Sequence, residues 1–115
     1  MEATIYHNPR CSNSRGALAL LREHGIEPAI VDYLGHPLDV PALEALVARL
    51  GVPLRELLRT KEAAYAELDL GNPARTEGEL YAAVAAHPVL LNRPIVVTPK
   101  GALLCRPPER VLELL

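Results

Sequence analysis

The chain has 115 residues; half are hydrophobic, 23% are charged, and the formal net charge is −2. At this length one domain spanning 1–115 is expected, able to bury roughly two thirds of the surface its unfolded form exposes. The composition excludes a disordered chain, and four Tyr with no Trp, no Phe and no basic excess exclude a basic, aromatic nucleic-acid surface.

Ala3 to His7, with β-branched Thr4 and Ile5, reads as a short strand that Asn8-Pro9 breaks. From Ser12 to His24 the apolar Ala17, Leu18 and Leu21 recur at helical spacing, and Gly25 stops the run. Ala29 to Leu34 is a second strand, ended by Gly35-His36-Pro37. The opening is therefore strand, helix, strand, a βαβ unit with parallel strands. Asp39 caps a helix that carries Val40, Leu43, Leu46, Val47 and Leu50 and ends at Gly51. Pro53 to Leu58 and Lys61 to Leu68 read as two short helices, and Thr76-Glu77-Gly78-Glu79 is a capping box for a helix through Ala86. Residues 38–90 thus form a helical insertion. Ile95 to Thr98 and Ala102 to Cys105 then make a hairpin across Pro99-Lys100-Gly101. Pro107 or Pro108 starts a final helix through Val111, Leu112 and Leu115. The order βαβ, helices, ββα predicts an α/β thioredoxin-like fold: a four-stranded mixed sheet with a helical insertion.

No run reaches the 18 apolar residues of a membrane span; the longest uncharged stretch, Leu80 to Asn92, is interrupted by His87 and Pro88. Met1 to Pro9 lacks the basic-then-apolar pattern of a secretory signal. Two cysteines are too few for a disulfide framework, and the histidines show no metal-ligand spacing. A reducing, cytoplasmic setting without a metal site is expected.

Cys11 is the candidate nucleophile. It sits where the first strand hands over to the first helix, so N–H groups of Ser12, Asn13, Ser14 and Arg15 and the helix dipole all favour a thiolate there. Cysteines so placed have pKa values of about 3.5–7.5. Arg10 and Arg15 add positive field. Cys11-x-x-Ser14 keeps the spacing of a redox pair but lacks its second thiol, so an outside thiol must resolve any adduct unless Cys105 folds close. Cys105 itself reads as a spectator on a strand or as a partner in a regulatory disulfide. Ser14 either hydrogen-bonds the thiolate or only stabilises the helix start. His7 either orients the loop, tunes the thiolate, or is a strand-end histidine with its own bonds. Among ten Arg, Arg59, Arg93 and Arg106 stand out. The planar guanidinium binds tetrahedral oxyanions bidentately, and Arg93 and Arg106 lie at strand ends, where α/β proteins gather ligands. In a thioredoxin-like fold Pro94 is the cis proline that opens the third strand beside the cysteine.

Tyr6 through Arg15, Leu57-Leu58-Arg59, His87-Pro88, Asn92 through Pro99 and Leu104 through Pro107 together resemble the glutaredoxin-coupled arsenate reductase family, in the right order and over essentially the whole chain. The resemblance implies a thioredoxin-like fold with a helical insertion and a cysteine, Cys11, that attacks arsenate. It further implies that Arg59, Arg93 and Arg106 bind the oxyanion, supported by His7, Asn8, Ser14, Arg15 and Pro94. Glutathione is implied as co-substrate, with no bound cofactor, and glutaredoxin as the partner that supplies electrons. Two features depart from the family: known members run further past the last helix, and Ser12-Asn13 follows the cysteine where some carry Gly-Thr. Two other readings use the same residues. One is a glutathione-dependent thiol oxidoreductase whose arginines bind glutathione carboxylates. The other is a non-enzymatic redox regulator of RNA polymerase, disfavoured because such proteins carry a second cysteine where this chain has Ser14.

Overall fold

The computed structural model describes all 115 residues, which fall into two compact units, Met1–His36 with Arg93–Leu115, and Pro37–Asn92. The first unit holds the sheet. Its strands are β1 (Thr4–Tyr6), β2 (Ala29–Val31), β3 (Ile95–Thr98) and β4 (Gly101–Leu104), in the order β2-β1-β3-β4. β1 pairs parallel with β2 and antiparallel with β3, and β3 pairs antiparallel with β4. This mixed sheet is the thioredoxin-like arrangement that the element order predicts.

Register brings Ile5 opposite Val96 at the centre of the sheet. Both are fully buried, as are Ala17 and Leu21 of α1 (Ser12–Glu23), and all four share one core with Val111, Leu114 and Cys105. Burying a side chain the size of Ile5 contributes about 1.5–3 kcal/mol. α1 packs directly against the segment Pro108–Leu114. Gly16 permits this, because a Cβ there would lie 2.9 Å from Pro108 Cγ. Glycine inside a helix is a weak choice by propensity, and the close approach explains it.

Several boundaries differ from the sequence reading. Strand β2 ends at Val31, because the Asp32 carboxylate accepts the Gly35 N–H at 3.0 Å and the Asp32 carbonyl accepts the His36 N–H at 2.9 Å, closing a turn. The last helix is a 3₁₀ helix over Pro108–Leu114 rather than an α-helix. In a 3₁₀ helix side chains three apart eclipse, and Val111 and Leu114, three apart, are the two it buries. Strand β4 stops at Leu104, but the Cys105 N–H still reaches across to the Pro94 carbonyl at 2.8 Å. The peptide bonds Arg93-Pro94 and Arg106-Pro107 are both cis.

The second unit is helical. α2 (Val40–Leu50) starts where Asp39 accepts the Ala42 N–H at 2.9 Å and stops at Gly51, whose φ of 70° is the left-handed conformation that glycine adopts at no steric cost. A 3₁₀ turn over Leu54–Leu57 replaces the short helix expected at 53–58, and α3 is trimmed to Ala63–Glu67. α4 (Glu77–Ala86) begins with both hydrogen bonds of the capping box in place. A 3₁₀ turn over Pro88–Leu90 follows. α2 packs on α4, and Leu43, Leu46, Leu54, Leu57, Leu80, Val84 and Leu90 fill this unit's interior. No helix is long and apolar enough to cross a membrane.

Candidate active site

The sheet unit gathers Cys11, Arg93, Arg106, His7, Asn8, Ser14 and Pro94. Cys11 is the N-cap of α1: its backbone is extended (φ −92°, ψ 123°) while its carbonyl already accepts the first helical bond, from the Arg15 N–H at 3.0 Å. The first turn of α1 carries no acidic residue that would oppose an anion.

Asn8 shapes the loop that leads to Cys11. Its carbonyl accepts the Cys11 N–H at 3.0 Å, its side-chain Oδ1 accepts the Arg10 N–H at 3.0 Å, and its own N–H donates to Ser14 Oγ at 3.0 Å. Ser14 Oγ also lies 2.7 Å from His7 Nδ1. The Ser14 hydroxyl thus ties the strand end and the loop to the start of α1. Ser14, His7 and Asn8 are all buried, so these bonds are shielded from water. Arg15 is exposed and braces the loop from outside, its Nη1 donating to the Pro9 carbonyl at 2.9 Å. Burial holds His7 below the ordinary imidazole range, and Arg22 and Arg15 depress it further against the opposing pull of Asp32.

Cys11 is 8% exposed. Burial pushes its thiol up, yet the Ser14 N–H, the Arg93 guanidinium, the Asn13 N–H and the Arg106 guanidinium together outweigh burial and leave it below the ordinary thiol value. Arg106 Nη1 lies 3.7 Å from Cys11 Sγ and also donates to the Arg93 carbonyl at 2.8 Å, which fixes the guanidinium beside the sulfur. Pro94 is buried and follows Arg93 through a cis bond. The second cis proline, Pro107, follows Arg106 in the same way. The sequence reading did not anticipate it, although the repeated Arg-Pro pair was its signal.

Cys105 presents the opposite environment. It is fully buried in the core, makes no disulfide, and burial pushes its thiol up to about 12. Its neutral S–H is directed at the Leu103 carbonyl, 3.6 Å away.

Arg59 belongs to the helical unit. Its N–H donates to the Leu90 carbonyl at 2.8 Å, its Nε pairs with Glu62 Oε1 at 3.0 Å, and its Nη1 reaches Asn92 Oδ1 at 3.4 Å. Sequence reasoning gave a role to Arg59 but none to Glu62 or to Asn92, which it quoted only as part of a motif; the three-residue spacing from Arg59 to Glu62 was the available signal.

Chemically, the sheet unit offers a thiolate-stabilising N-terminus of a helix with two guanidinium groups at the sulfur. Such a set suits a thiolate nucleophile meeting an anion, whose mutual repulsion the cations and N–H dipoles offset.

A family model described as the ArsC family matches residues 6–114. Arsenate reductase from Rhizobium meliloti (strain 1021) is 50% identical over 115 residues, which is 100% of this chain and 82% of that protein. The uncharacterized protein YfgD of Escherichia coli (strain K12) is 47% identical over 114 residues, 98% of this chain and 96% of that one. A solved structure of arsenate reductase from Vibrio cholerae matches with a TM-score of 0.96 at 46% identity, covering 100% of this chain and 98% of that one.

Proposed function

This chain belongs to the ArsC family, and from that membership we propose that it reduces arsenate to arsenite, with glutathione and glutaredoxin as the source of electrons. The observation that carries the reading is the Cys11 sulfur at the N-terminus of α1 with Arg106 Nη1 3.7 Å away and the Arg93 guanidinium favouring its charged form.

The Cys11 thiolate attacks As(V), an S–As bond forms, and one arsenate oxygen leaves as water after taking up protons. Arg93 and Arg106 neutralise charge on the arsenate oxygens as they meet the sulfur. Arg59, in the helical unit, enters this reading as a further arsenate ligand through the family resemblance alone. A glutathione thiolate then supplies the second sulfur. It attacks the Cys11 sulfur, the S–As bond breaks with its electron pair passing to arsenic, which leaves as arsenite, and the two sulfurs remain joined as a mixed disulfide on Cys11. Glutaredoxin attacks that disulfide through its own thiolate and returns Cys11 to the reduced state. An external thiol is required because Ser14 stands where a resolving cysteine would, and because the fully buried Cys105 keeps its proton near neutral pH.

The test is arsenate-dependent NADPH oxidation coupled through glutathione, glutathione reductase and glutaredoxin. Turnover with the native chain and none with Cys11→Ser is the expected result. Reduction of glutathione mixed disulfides without any arsenate-dependent turnover overturns the reading in favour of a thiol oxidoreductase.

A further inference from the structure

We propose that Glu62 and Asn92 are positioning residues that hold the Arg59 guanidinium ready to receive an oxyanion; this rests on the reading above that Arg59 binds arsenate.

The backbone around Arg59 is laced to the segment at 90–92. Leu58 bridges Leu91 in antiparallel fashion, the Arg59 N–H donates to the Leu90 carbonyl at 2.8 Å, and the Asn92 N–H donates to the Leu57 carbonyl at 2.8 Å. Those bonds fix the origin of the Arg59 side chain. Two more fix its head group. Glu62 Oε1 accepts a hydrogen bond from Nε at 3.0 Å, and Asn92 Oδ1 accepts one from Nη1 at 3.4 Å. The pair is partly shielded, with the side chains of Arg59 and Glu62 only 22% and 27% exposed. Glu62 is itself placed by a local turn, its N–H donating to the Arg59 carbonyl at 3.3 Å.

A guanidinium carries five N–H donors in a rigid plane. Glu62 and Asn92 engage it at Nε and Nη1, and neither bond uses Nη2. The orientation of the plane is therefore set while donors for a tetrahedral anion are kept. Arginine is a long, flexible side chain, and ordering it before the ligand arrives removes that entropy loss from the binding step. Asn92 directly precedes Arg93 in the chain.

The opposite role is a competing one, in which the Glu62 carboxylate occupies the guanidinium and must be displaced by arsenate. The two differ in sign. If Glu62 positions Arg59, Glu62→Ala raises the KM for arsenate about tenfold, the size expected for a lost charge-assisted hydrogen bond, and leaves kcat within about twofold. Glu62→Gln restores most of the KM, because its amide oxygen still accepts from Nε. Asn92→Ala shifts KM in the same direction as Glu62→Ala and serves as an independent second variant. The rate at which Cys11 is alkylated stays unchanged in all three, which separates positioning from a general loosening of the fold. A KM that is unchanged or lowered in Glu62→Ala, or one that Gln does not rescue, overturns the proposal. Arg59→Ala is measured alongside. If it raises KM while Glu62→Ala does not, the positioning role alone fails. If Arg59→Ala leaves KM untouched, the reading of Arg59 as an arsenate ligand fails and the positioning role falls with it.

Discussion

The two cysteines of this chain are the same chemical group pushed in opposite directions. Cys105 is surrounded by core side chains and keeps its proton. Cys11 is also buried, but its sulfur meets two backbone N–H groups and two guanidinium groups, and these outweigh the loss of water. Charge alone does not describe the arginine contribution, because a planar fork holds two oxygens of a tetrahedral anion and an ammonium acts as a point charge. Arg93→Lys is therefore expected to keep the charge and to lower kcat/KM for arsenate about 10²-fold, the magnitude typical of losing one donor that stabilises developing negative charge. Steady-state kinetics measures this; native turnover in the variant excludes Arg93 from direct contact with the oxyanion. Cys11 as a candidate nucleophile, and two arginines at strand ends, Arg93 before β3 and Arg106 after β4, were legible in the sequence. The division of labour within Ser14 was not: its N–H favours the sulfur's charge while its hydroxyl serves His7 and Asn8. No local pattern distinguishes the two ends of one serine.

At the level of elements, the sequence is most readable where a structure is closed by its own neighbours. The capping box at Thr76 and Glu79 is such a case, since both of its hydrogen bonds join residues three apart. Thr76→Ala removes the acceptor for the Glu79 N–H and is expected to lower stability by about 1 kcal/mol, read as a shift of the urea midpoint. Its site is in the helical unit, and alkylation of Cys11 should proceed at the native rate. Where an element depends on what it packs against, the reading slipped. The final segment reads in sequence as a helix through Val111, Leu112 and Leu115, yet it winds as a 3₁₀ helix that presents Val111 and Leu114 together to the core. The Gly16 at its contact with α1 looks like a weak point in a helix until Pro108 is seen against it.

Across the molecule, the sheet unit depends on a core that includes the Cys105 thiol. Because burial raises that thiol from an ordinary 9.0 to about 12, the folded chain holds the proton after the unfolded chain has released it. A raised thiol pKa makes its contribution to stability complete below pH 9 and lost progressively from there toward about 12. Cys105→Ala should flatten that alkaline decline in denaturation curves taken at successive pH values, and should leave arsenate-dependent turnover near the native level. An unchanged alkaline slope would count against Cys105 as its source. The order of strands and helices, the family and the candidate nucleophile could all be read from residues one after another, because alternation, helical spacing, caps and a polar turn before a helix are patterns of near neighbours. That Arg106 comes to lie beside a sulfur 95 positions earlier in the chain, and that Arg59 is gripped by an asparagine 33 positions later, could not. Those approaches are made by strand register, by the packing of Ile5 on Val96 and by the pairing of Leu58 with Leu91, and each is the outcome of many weak contacts summed over a folded core.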